Sequence, residues 1–127
     1  MANSRLFQFR YSYERDLVDI YAKVTFGASG APTLSNAKGV VSITRNSAGN
    51  YTLKLKDNFY LLMDAQAVFK SGSSAPAAPD MNIVSEQVNT VSAPQMVIQF
   101  RDIAAAAADP ASGEVAYLKI TCRNAST

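Results

Sequence analysis

Leu17-Val18-Asp19-Ile20-Tyr21-Ala22-Lys23-Val24-Thr25-Phe26 is the longest clean alternation in the chain. Val18, Ile20, Ala22, Val24 and Phe26 share one parity, and Asp19, Tyr21, Lys23 and Thr25 take the other. Successive side chains of a strand point to opposite faces. The pattern therefore predicts an antiparallel strand with one buried and one solvated face.

Upstream, Glu14-Arg15-Asp16 is a charged break, and before it Arg5–Tyr13 alternates more weakly, with Phe7, Phe9, Tyr11 and Tyr13 on one parity. Period two with aromatics is again strand patterning. Downstream, Gly27–Pro32 reads as a turn-rich loop. Gly39–Arg45 and Asn50–Lys56 then alternate on either side of Asn46-Ser47-Ala48-Gly49, which predicts a β-hairpin. In its first arm Val41 and Ile43 oppose Val40, Ser42 and Thr44. In its second, Tyr51, Leu53 and Leu55 oppose Thr52, Lys54 and Lys56. Phe59–Met63 reads as a helical turn or a buried crossing into a strand over Ala65–Lys70. Ser71–Pro79, rich in Ser, Ala and Pro, reads as a flexible loop between strands, with too little chain on either side for a domain boundary. Met81–Val91 is apolar at Ile83 and Val84 and polar after them.

Gln95–Arg101 predicts a strand with Met96, Ile98 and Phe100 inward, and Glu114–Cys122 another with Ala116, Leu118, Ile120 and Cys122 inward. Between them, residues 102–108 contain an Ala run of high helix propensity. The run is short and ends at Asp109-Pro110, so a loop with at most one helical turn is expected. In Asp109-Pro110-Ala111-Ser112-Gly113, Pro110 suits the second position of a type I turn and Gly113 closes the segment. The sum is about eight short strands with regular turn punctuation. That is the pattern of an all-β chain, an antiparallel β-sandwich or barrel-like single domain over 1–127, with long loops at 71–79 and 102–113.

The composition excludes much chemistry. The 127 residues include no His, no Trp and a single Cys, Cys122. Ser-His and Cys-His dyads, His-ligated zinc and intramolecular disulfides are impossible. No cofactor or metal site is indicated, and Cys122 reads as a small core hydrophobe. Charged residues are 17% of the chain and the net charge is +2, a weak footprint for nucleic acid. Met1–Arg5 leads into alternation and not into an apolar signal core, and Gln87–Phe100 is too polar to span a bilayer. A soluble, non-secreted product is expected. The sequons at Asn50 and Asn124 then read as chance matches.

Glu14, Asp16 and Asp19 form the one local carboxylate cluster, but Glu14 and Asp16 share a parity that Asp19 lacks, so they read as solvated turn charges. Lys38, Arg45, Lys54 and Lys56 make a basic hairpin carrying Tyr51, a pattern that in an OB-like barrel stacks single-stranded nucleic acid. Tyr51 lies on the parity opposite Lys54 and Lys56, which argues against that use. No enzyme is indicated. An interaction or assembly module is the expectation, and Phe7, Phe9, Tyr11 and Tyr13 are the candidate interface.

Gly27-Ala28-Ser29-Gly30-Ala31-Pro32-Thr33-Leu34, Gly39–Asn46, Gly49–Leu53 and Ala108-Asp109-Pro110-Ala111-Ser112-Gly113 together resemble stretches of small virion structural proteins of tailed bacteriophages. The resemblance spans most of the chain through turn-and-strand motifs and carries over no catalytic residue. It implies a capsid decoration (cement) protein, or alternatively a head-fibre or tail accessory protein. The partners would be the major capsid protein or other virion proteins, and the place the virion, after synthesis in the bacterial host cytoplasm. A homo-oligomer is expected, a trimer suiting a quasi-threefold site.

Overall fold

In the computed structural model, which describes residues 16–71 and 75–124, the chain forms β1 (Leu17–Phe26), β2 (Pro32–Ser35), β3 (Val40–Ser47), β4 (Asn50–Leu55), β5 (Leu61–Lys70), β6 (Asp80–Gln87), β7 (Gln95–Arg101) and β8 (Val115–Arg123). They make two four-stranded antiparallel sheets, ordered β2-β1-β8-β5 (sheet A) and β3-β4-β7-β6 (sheet B). The arrangement is a sandwich, as the alternation predicts.

The inward parities of the two sheets make one core. Ile20, Ala22, Val24 and Phe26 of β1 meet Ala116, Leu118, Ile120 and Cys122 of β8 on one side, and Tyr51, Leu53, Leu55, Met96, Ile98 and Phe100 lie on the other. The rings of Phe26, Tyr51 and Phe100 are mutually edge-to-face at 5.5–5.6 Å, and Phe69 joins Phe100 at 5.3 Å. Each such pair contributes about 0.5–1.5 kcal/mol beyond its buried area.

The structure corrects several details. Pro32–Ser35 is a strand, β2, paired through Val24↔Leu34. Four residues opening on Pro are too short for alternation to register, and Pro is tolerated at an edge. The parity expected for β3 also fails. A bulge between Val40 and Ser42 buries Val40 at 7% exposure and leaves Val41 63% exposed, while Ile43 returns to the core. An extra residue in one strand shifts every later side chain to the other face. Phe59–Met63 holds no helical turn: Phe59 is buried, and Leu61–Met63 opens β5, with a bulge between Leu62 and Asp64. Residues 102–108 are non-helical, as expected. Asp102 accepts the amides of Ala104 and Ala106, a local alternative to helix. The turn hydrogen bond runs from the Glu114 amide to the Ala111 carbonyl, so the turn starts at Ala111, after Pro110. Within the 71–79 loop Ala78 is fully buried.

Candidate functional site

The two sheets present different outer faces. On sheet B, polar side chains bond one another: Asn46 donates to Thr52, Gln99 to Asn50, Arg101 to Gln99 and Gln95 to Gln87. A face already satisfied internally gains little from a partner.

Sheet A is built otherwise. Its central strands β1 and β8 pair with Tyr21 opposite Lys119 and Lys23 opposite Tyr117. The outward parity therefore sets Tyr-Lys against Lys-Tyr in a two-by-two checkerboard. Diagonal neighbours of this kind lie about 7–8 Å apart, within reach of long side chains. The Lys23 ammonium lies 5.9 Å from the centre of the Tyr117 ring, a cation–π contact. Tyr21 is 58% exposed and Tyr117 44%. Val68 of β5, opposite Tyr117, is also exposed.

Two open hollows flank Tyr21. One of about 400 Å³ is lined by Asp19, Tyr21, Asn36, Ala37 and Lys38. The other, of about 170 Å³, includes Lys23, Asn36 and Tyr117. Asn36 adopts a left-handed backbone with φ of 46°, a conformation Asn tolerates well, in the link from β2 to β3. The result is a shallow surface with two exposed rings, several amines and one carboxylate. Such a surface can hold another macromolecule by stacking and charge pairing.

The carboxylate cluster falls only partly within the described residues. Asp16 is exposed before β1, Asp19 accepts a 2.7 Å bond from the Thr121 hydroxyl, and Glu14 lies outside the described residues. Among the described residues no group of His, Cys, Asp or Glu is placed to hold a metal ion. Phe7, Phe9, Tyr11 and Tyr13 also lie outside the described residues.

Two members of the basic hairpin, Arg45 and Tyr51, are used structurally. Tyr51 is fully buried, and its hydroxyl donates to the Gly30 carbonyl at 2.7 Å and sits 3.2 Å from Asp109 Oδ1. Arg45 makes a bidentate pair with Asp109 at 3.0 and 2.8 Å, and the Gly49 amide donates to the same carboxylate at 2.8 Å. Chiefly through the Arg45 hydrogen bonds, the Asp109 carboxyl is held below its ordinary value of 3.8. Burial and the neighbouring Asp109 push the Tyr51 hydroxyl well above its ordinary range. Tyr51 is thus a core anchor that offers no ring to a base.

A second carboxylate, Glu114, is 4% exposed and accepts the amides of Ala77 and Ala111 on Oε1 at 3.0 and 3.1 Å. It fastens the end of the 71–79 loop to the Asp109–Gly113 loop. Both of these anchoring sites escape sequence reading, because each joins residues far apart in the chain.

No known protein family, curated protein or solved structure matches this chain.

Proposed function

We propose that the protein is a non-enzymatic structural component of a tailed-phage virion, a decoration protein that docks on the assembled head through the outer face of sheet A. The observation that carries this reading is the pair of exposed tyrosines at the centre of that face, set among lysines and unused by the core. Tyrosine is enriched at interface centres because it gives large contact area at low entropic cost. Sheet B exposes Val41 and Val84, but among the described residues it presents no tyrosine outward, and its polar side chains bond one another. The resemblance to small phage virion proteins supplies the partner class, the major capsid protein. Decoration adds buried area across subunit joints and stabilises the shell by mass action.

The test is whether gradient-purified particles of the encoding phage contain the chain in fixed ratio to the major capsid protein. Undecorated heads should then bind added wild-type protein and bind Tyr21→Ala/Tyr117→Ala at least about tenfold more weakly, which is about 1.4 kcal/mol. Absence from particles, or undiminished binding by the double variant, overturns the reading. Interleaved Tyr and Lys also favour a second reading, single-stranded nucleic acid stacked on the same face. Its mark is oligonucleotide binding that falls steeply with salt.

A further inference from the structure

The four sheet edges differ in how they are protected. β2 is four residues long and opens on Pro32, β3 carries two bulges, and β6 carries a bulge with Asp80 and Glu86 on it. Shortness, proline, bulges and charges are the usual devices that stop an edge from pairing. β5 also carries a bulge and the charges Asp64 and Lys70, but it is the longest of the four edge strands. It is ten residues long, and after its bulge between Leu62 and Asp64 the stretch Asp64–Lys70 runs in unbroken register against β8. Its other edge is paired to no described strand, and Leu61, Met63 and Val68 are exposed on it.

The sequence of that stretch, Asp64-Ala65-Gln66-Ala67-Val68-Phe69-Lys70, is complementary to itself in antiparallel register. Centred on Ala67, a two-fold pairing sets Asp64 opposite Lys70 of the second copy and Lys70 opposite its Asp64. Ala65 then meets Phe69, small against large, on the core side, and Gln66 meets Val68 on the outer side. Both charges lie on the exposed parity. Opposite charges directly across a ladder are favourable and like charges unfavourable. The same side of the sandwich also exposes Ile83 and Val84 of β6.

We infer that β5 is a homodimerisation edge, pairing with β5 of a second copy about a two-fold axis at Ala67. Sheet A then continues as β2-β1-β8-β5-β5-β8-β1-β2, and the two Tyr/Lys checkerboards lie on one extended face. This is an isologous dimer, in place of the trimer that the virion resemblance led us to expect. It is independent of head docking, because it is read on the free full-length chain.

The experiment is sedimentation equilibrium on the full chain and on two charge variants, Asp64→Lys and Lys70→Glu. Wild type should be a dimer of the 13.6 kDa chain. Each variant alone sets like charges opposite each other and should dimerise at least about tenfold more weakly. Mixed in equal amounts, the two should recover a heterodimer. The lysine introduced in one chain then faces the glutamate introduced in the other, and the retained Lys70 faces the retained Asp64. Circular dichroism and melting temperature of each variant establish that it folds. Amide exchange should slow across 64–70 as wild-type concentration rises. A monomer, a trimer, or a mixture no tighter than its components overturns the proposal. So does exchange across 64–70 that stays the same at every concentration through which the wild-type chain passes from monomer to dimer.

Discussion

At the level of single residues, Asp109 ties together three positions far from it in the chain. Its carboxylate gathers Arg45 from β3, the Gly49 turn amide and the Tyr51 hydroxyl. Asp109→Ala leaves several of these donors without their acceptor and should cost about 2 kcal/mol by denaturant titration. The folded carboxyl titrates below its ordinary 3.8, so its contribution is complete above about pH 4. It is lost as the pH falls through the depressed folded value. An Asp109→Asn chain should therefore lose less stability than wild type over that acid range, measured as melting temperature against pH. Cys122 gives a second residue-level test. Burial, with a smaller contribution from the Glu86 charge, pushes its thiol up to about 11. Iodoacetamide at pH 8 should leave the native protein unlabelled and label it in denaturant. A thiol raised in the folded state keeps its stabilising effect below about pH 9 and loses it as pH rises through about 11. Cys122 was legible in the sequence, from the parity of β8. Asp109 was not, because its partners lie 58 to 64 residues away and no local pattern marks them.

At the level of elements, strands with clean period two were readable and irregular ones were not. β1 and β7 run over the spans their alternation predicts, because each lies inside a sheet with one parity in the core. β2, β3 and the start of β5 lack that regularity. All three are edge strands, where shortness or a bulge breaks the periodicity that sequence reading depends on. The β3–β4 hairpin was legible from its Asn/Gly-bearing loop, and its turn is sharply constrained. Gly49 has φ of +76°, and a Cβ there would lie 2.7 Å from both the Ala108 nitrogen and the Phe100 carbonyl oxygen. Backbone cannot yield as a flexible side chain does, so Gly49→Ala should destabilise by about 2 kcal/mol or more, from strain and from lost backbone approach. Denaturant titration of that variant beside wild type measures it. Glu114 similarly ties two loops. Glu114→Ala should raise amide exchange at Ala77 and Ala111 together, while the amides of β4 and β7 stay protected.

For the whole molecule, the division of labour lies between the two parities of the same strands. On β1, Ile20 and Tyr21 are adjacent in sequence and point in opposite directions, one 4% exposed and the other 58%. On β8, Leu118 at 3% follows Tyr117 at 44%. The inward set must fill the space between the sheets, so its residue types follow from the fold. The outward set is free of that demand. The sequence marked Tyr21 as solvated by parity, but it could not place Tyr117 diagonally across from it, because the β1–β8 pairing spans most of the chain. The four same-parity aromatics Phe7, Phe9, Tyr11 and Tyr13 point to an N-terminal interface, which lies outside the described residues, and the described residues offer a candidate on sheet A. The expected consequence is a clean separation of stability from binding. Ile20→Ala and Leu118→Ala should each cost about 2–5 kcal/mol, through lost burial and the cavity left behind. In a domain of this size that lowers the melting temperature by about 8 °C or more. Tyr21→Ser and Tyr117→Ser remove larger side chains from the opposite face of the same strands. They should shift stability by about 0.5 kcal/mol or less, the range of ordinary surface changes, and should together remove head binding. The measurement is thermal unfolding of all four variants beside their binding to undecorated heads. Tyrosine variants that unfold like the core variants would show that these rings belong to the packing of sheet A, and the docking surface would then have to be sought on another face.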